Sequence, residues 1–163
     1  MVYFTPVVAL LAAATAVSGH WRDSCSVNST EIHMTGTHLA GRATTQQQYL
    51  DAHNTERAAH GAAALTWDAG TLGQNLAAGT GNPSIATEVG WWNNERSDYN
   101  PSNPQPSHWT QVVWKGTTKV GCYLATCAPG TILDASYGSA SYVVCNYSPA
   151  GNVIGQFPQN VQK

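Results

Sequence analysis

Two segments near the C-terminal end, Lys119 to Thr126 and Ser141 to Tyr147, alternate in strand fashion, and the stretch between them carries Pro129-Gly130 and Gly138, residue types that break regular structure. An antiparallel pair follows. Because successive strand side chains point to opposite faces, one face of that pair must be buried by the rest of the chain. The pairing is expected to bring Cys127 near Cys145. A disulfide between them would close a loop of about 18 residues and contribute roughly 3 kcal/mol in the chain-entropy model.

The chain has 163 residues, enough for one domain with a core of its own. Only 10% of its residues are charged and the net charge is -2, so no basic patch points to nucleic acid or to an anionic membrane surface. The expected partner is neutral or apolar.

Residues 1–19 have an apolar centre from Val7 to Val17 and end in small residues, which reads as a secretory signal cleaved near Ser18 or Gly19, although the leading residues lack Lys or Arg. The apolar run is too short for a membrane span, which needs about 20 residues, so no transmembrane segment is expected. Export would place Cys25, Cys122, Cys127 and Cys145 in an oxidising compartment, where an even count points to disulfides. Asn28-Ser-Thr30 is an exposed-looking glycosylation sequon. Asn146-Tyr-Ser148 also matches, but it lies in a strand and precedes Pro149, and we discount it.

Residues 20–43 read as a polar, irregular leader in which His33 and His38 are solvent-exposed bystanders, and 44–163 as the folded domain. Thr44 or Thr45, each with a glutamine three residues on, opens a helix with Tyr49, Leu50, His53, Arg57 and His60 down one side and Gly61 as its stop. His53 and His60 are two turns apart, about 10 Å of rise, so they cannot share one metal ion. Ser84 opens a further helical segment with Ile85, Val89, Trp92, Glu95 and Tyr99 along one face, closed by Asn100-Pro101. A carboxylate on that inward face needs a partner, and His108, presented by the proline-stiffened loop 100–107, is the obvious one.

His108-Trp-Thr-Gln-Val-Val-Trp114 and Cys145-Asn-Tyr-Ser-Pro-Ala-Gly-Asn152 closely resemble the two signature segments of the CAP superfamily of cysteine-rich secretory proteins, insect venom antigens and plant pathogenesis-related proteins. The resemblance covers roughly Gln46 to Gly155. It implies an α+β fold, a three-layer α-β-α sandwich with a small antiparallel sheet, and a structural use of the His53-Asn-Thr-Glu-Arg57 run. The chain departs from the pattern between Leu72 and Gly73, where a helix, a cysteine and a His-Ser pair are missing, through either a shortened domain or a mis-spliced gene model. The family pairs its counterpart of Cys122 with a cysteine of the missing stretch, which leaves Cys25 as the intramolecular substitute mate for Cys122.

Metal-binding relatives use two histidines and two carboxylates. Carried over by position, the first histidine has no counterpart, the second ligand is Gln74, the third Glu95 and the fourth His108. An amide oxygen is a poor zinc ligand, so Gln74, Glu95 and His108 are expected to form a polar cluster on the cleft floor, with no cofactor and at most a weak divalent metal on Glu95 and His108. No Gly-x-Ser-x-Gly elbow accompanies Ser102 or Ser107, which argues against a hydrolase. The resemblance implies a secreted, extracellular, monomeric protein without enzymatic activity that binds a sterol or fatty acid in a defence or host setting, with a host or cell-wall protein as a further partner. The lipid-lining candidates are Tyr49, Leu50, Val89, Trp91, Trp92 and Tyr99. Trp91 stands out, since it and Trp92 cannot both face inward. Pro149 to Gln156 resembles the segment from which plant relatives release a signalling peptide, though the tail from Phe157 to Lys163 departs from their usual ending.

Overall fold

The computed structural model describes residues 25–27, 45–68 and 73–163. The expected signal sequence, the Asn28 sequon, His33 and His38 and the Leu72 side of the gap lie outside the described residues.

Helix α1 (Thr45–Ala59) buries Tyr49, His53 and Arg57, one per turn at four-residue spacing. It ends where Gly61 takes φ +66°, a conformation that costs glycine nothing, and Ala62 N–H closes the last turn on the Arg57 carbonyl at 2.9 Å. Helix α2 (Ile85–Asn93) starts at Ser84, whose hydroxyl accepts from Thr87 N–H, and continues into a 3-10 turn, Asn94–Asp98. Helix α3 (His108–Val112) is a single turn held by reciprocal Ser107 and Thr110 caps. A short α4 (Phe157–Asn160) follows near the C-terminus.

The sheet contains β1 (Cys25–Val27), β2 (Thr66–Trp67), β3 (Gly73–Thr80), β4 (Lys119–Cys127) and β5 (Ala140–Ser148). Its order is β1-β4-β5-β3, all antiparallel, with β2 added parallel to the start of β4. The α+β class is as expected. Strand β1 falls within the stretch read as an irregular leader, and there the backbone pairs with β4 instead.

The disulfide expectations need correction. Cys122 is joined to Cys145, not to Cys25, and Cys127 is not joined to Cys145. The register explains it: Cys122 lies directly opposite Cys145 with Cα atoms 4.1 Å apart, whereas Cys127 lies opposite Ala140. Cys127 is itself disulfide-bonded, and on its other side the backbone of β1 sets Cys25 opposite it.

One core lies on one face of the sheet. Val120, Cys122, Val143, Cys145 and Tyr147 from the strands meet Tyr49, Val89, Trp92, Trp109, Val112 and Val113 from the helices, with Phe157 and Val161 closing one end. The other face presents Leu76 (41% exposed), Tyr123 (54% exposed), Tyr142 and Val144, and none of the described helices has its buried side chains there. In the described residues the sandwich thus has its helical layer on one side of the sheet.

Candidate functional site

Loop 100–107 delivers His108 to the start of α3, where Glu95 from the 3-10 turn receives it. Glu95 Oε2 accepts from the backbone N–H of His108 at 2.7 Å and of Trp109 at 3.3 Å, and Oε1 accepts from His108 Nδ1 at 2.6 Å. Burial pushes the Glu95 carboxyl up, but the His108 ring and the two N–H groups outweigh it and hold the carboxyl below the ordinary range. The imidazole is 43% exposed and stacks on Trp92 with centroids 6.2 Å apart. With Nδ1 donating to Glu95, Nε2 is left without a protein partner among the described residues.

Gln74 is not part of this cluster. It sits on the opposite face of the sheet, exposed, and donates to Asn146 Oδ1 at 2.9 Å. Its neighbour Asn75 takes the inward position because strand side chains alternate. Asn75 Nδ2 reaches the His108 carbonyl at 3.0 Å and Tyr147 Oη at 3.2 Å. Tyr147 Oη is in turn 2.7 Å from His53 Nε2, and His53 Nδ1 is 2.8 Å from the Tyr49 carbonyl. A carbonyl can only accept, so Nδ1 carries the proton and Nε2 accepts from Tyr147 O–H. Burial, with the Arg57 charge adding to it and the Tyr49 carbonyl opposing, lowers the His53 pKa to about 4, and the ring is neutral.

Arg57 fixes the segment that follows α3. Its guanidinium donates to the carbonyls of Ala63, Val112, Trp114 and Thr117 at 2.7 to 2.9 Å. Glu56, one residue earlier and half-buried, accepts from Trp109 Nε1 at 2.9 Å and from Arg96 at 3.1 Å. Asn152, at φ +57°, joins the second signature segment to the first through the Ser107 carbonyl at 2.9 Å and Thr110 Oγ1 at 2.6 Å. Gly151 must be glycine: a Cβ there would lie 2.7 Å from Trp114 and 2.8 Å from Gln111.

The donor set does not fit the family's metal site. Glu95 and His108 converge, but Gln74 lies across the sheet and both Glu95 oxygens already accept hydrogen bonds. Among the described residues, the group of three donors within ligating distance of one another is His53, Cys122 and Cys145, and its sulfurs are joined to each other. Nor, among the described residues, does a hydroxyl or thiol hydrogen-bond to the His108 ring or the Glu95 carboxylate. Ser107 Oγ caps Thr110 N–H at 3.1 Å, and Ser102 is exposed on the loop.

Of the lipid-lining candidates, Tyr49, Val89, Trp92 and Tyr99 belong to the core. Leu50 is half-buried against it. Trp91 is half-buried, lies outside the core and covers Gly79 of β3, where a Cβ would come within 2.5 Å of the indole. In the C-terminal segment Val153 and Ile154 are exposed, while Phe157 and Val161 are inserted in the core.

Asn75, Glu56, Asn152 and Glu88 were not singled out by sequence. The signal for Asn75 was available, since reading Gly73 to Thr80 as a strand turns Gln74 and Asn75 to opposite faces. Glu88 is buried beside Val89 on α2, where its hydrogen-bond partner Ser141 comes from β5, 53 residues away.

The model of the Cysteine-rich secretory protein family matches residues 69–147. Fruiting body protein SC7 of Schizophyllum commune is 41% identical over 157 aligned positions, which take in 76% of this chain and 77% of that protein. The alignment is longer than the part of this chain it takes in, so it contains gaps. Secreted protein RBT4 of Candida albicans is 37% identical over 69% of this chain, which spans 37% of that protein. Among solved structures, hookworm platelet inhibitor has a TM-score of 0.51 at 16% identity, over 72% of this chain and 76% of that one, and shares the fold.

Proposed function

Because this chain belongs to the cysteine-rich secretory protein (CAP) family, we propose that it acts outside the cell as a non-enzymatic binder of a sterol or another lipid, held along α1 and α2. Trp91 carries this reading. Its half-buried indole lies outside the core against Gly79 of β3, offering a flat apolar surface, while Trp92, the next residue, already fills the core position. Leu50 and Ile85, half-buried on the two helices, extend an apolar wall with few charges, the surface a lipid needs. The absence of enzymatic activity is supported by how the dyad is used: Glu95 is engaged in holding the first turn of α3, and no hydroxyl or thiol of the described residues hydrogen-bonds to His108.

Labelled cholesterol or fatty acid is expected to bind the oxidised, mature protein saturably with micromolar affinity, and Trp91→Ala to weaken it about tenfold, as loss of an aromatic anchor does. Folded protein that shows no saturable binding of either would sink the proposal.

A further inference from the structure

Three buried side-chain atoms of the described residues, Tyr49 Oη, Glu88 Oε2 and Asn93 Oδ1, have no hydrogen-bond partner, and a fourth, His60 Nε2, has only the Glu56 carboxylate 3.3 Å away, outside hydrogen-bond geometry. Two of them belong together. Tyr49, fully buried on α1, and Glu88, 1% exposed on α2, sit on helices that pack against each other, near enough for the Glu88 charge to act on the phenol. Ser141 of β5 donates to Glu88 Oε1 at 2.7 Å, which leaves Oε2 and the phenol unsatisfied. Buried polar groups are almost always paired, so this corner calls for a partner that the described residues do not supply.

We infer that Tyr49, Glu88 and Ser141 form the polar end of the lipid site and take the hydroxyl group of a lipid alcohol. The inference rests on the lipid reading above and narrows it. A hydroxyl both donates and accepts, so one such group satisfies the two orphans by accepting from Tyr49 O–H and donating to Glu88 Oε2. Its hydrocarbon would lie among Val89, Leu50, Ile85 and Leu124, all in or against the core. A fatty acid carboxylate is disfavoured, because it would set a second negative charge beside a carboxyl that has no cationic partner among the described residues. An ammonium would match the charge, but a buried ion pair loses in desolvation about what it gains in attraction. Burial, opposed by the Ser141 bond, raises the Glu88 carboxyl above its ordinary range, and a hydroxyl suits either of its protonation states.

The test compares a long-chain 1-alkanol with the amine, carboxylic acid and methyl ether of the same chain, and a sterol with its methyl ether, on the oxidised full-length protein. Each alcohol is expected to bind about tenfold more tightly than its ether, and the alkanol about tenfold more tightly than the acid, the effect of one buried hydrogen bond. Tyr49→Phe is expected to erase the preference over the ether while leaving the free protein as stable as before, since the hydroxyl removed has no partner. Glu88→Gln is expected to let the acid bind as well as the alkanol. Equal binding of alcohol and ether, a preference for amine or acid, or a preference that survives in Tyr49→Phe would overturn the inference. Loss of stability in Tyr49→Phe would also overturn it, by showing that a resident water already serves the corner. If none of these lipids binds at all, it is the lipid reading itself that fails, and the anchor fails with it.

Discussion

Stability should fall as pH drops through the range in which His53 is kept neutral, and the structure sets both limits of that range. His53 is fully buried, its Nδ1–H is committed to the Tyr49 carbonyl and its Nε2 accepts from Tyr147. A proton on Nε2 would face a hydroxyl already donating to it, in a site where Arg57 adds positive charge. The folded pKa is therefore about 4, whereas the unfolded chain takes up the proton near 6.5. Between those values the unfolded state binds more protons, so stability declines as pH falls from about 6.5 and levels off below about 4. At about 1.4 kcal/mol per pH unit the full effect is about 3 kcal/mol. Urea unfolding followed by tryptophan fluorescence at pH steps from 7 to 4 measures it. The comparison with His53→Gln removes the titration of other groups, including Glu88, whose raised carboxyl acts in the opposite direction. The difference in stability between wild type and variant should shrink by about 3 kcal/mol across the range. A difference that stays constant within about 0.5 kcal/mol would refute the neutral, doubly bonded histidine.

Arg57→Lys should lower stability by about 2–4 kcal/mol in urea unfolding, because one ammonium cannot serve four carbonyls spread from Ala63 to Thr117, and each buried acceptor left over costs about 1–3 kcal/mol; a loss under about 0.5 kcal/mol would show that the clamp is dispensable. Glu95 has a depressed carboxyl, so its contribution is present above the unfolded value and disappears as pH falls through the folded one. Glu95→Gln should accordingly be less stable than wild type at neutral pH and approach it in acid, in the same unfolding assay; a gap that does not narrow would rule out an ionised Glu95 at this site. Peptide mapping without reduction should recover Cys122 linked to Cys145 and no peptide linking Cys127 to Cys145.

Much of the local structure was legible in the chain because its causes are local. Four-residue spacing of Tyr49, His53 and Arg57 and a stop at Gly61 suffice for α1. The Ser84 cap suffices for the start of α2, and two-residue alternation for β4 and β5. The Glu95–His108 partnership could be read too, since an inward carboxylate must be paired and a loop of prolines limits where the next histidine can go. Gln74 was placed by its position in a motif, and the alternation of a strand carried it to the far face while Asn75 turned inward to hold the His108 carbonyl.

Periodicity and cap chemistry thus determined, from sequence alone, α1, the start of α2 and the strands β4 and β5, and the two signature segments carried the resemblance to the family. Only the tertiary structure decided how those segments register. The pairing of β4 with β5 puts Cys122 opposite Cys145 and Cys127 opposite Ala140; Cys122 and Cys127 lie an odd number of residues apart on one strand and so face opposite sides of the sheet, and it is the register that turns Val120 and Cys122 inward beside Tyr147 and Cys145 that gives the bond to Cys122. The same holds for the corner of Tyr49, Glu88 and Ser141. Each residue reads as unremarkable on its own element, and the unmet polar atoms arise only when α1, α2 and β5 are packed together.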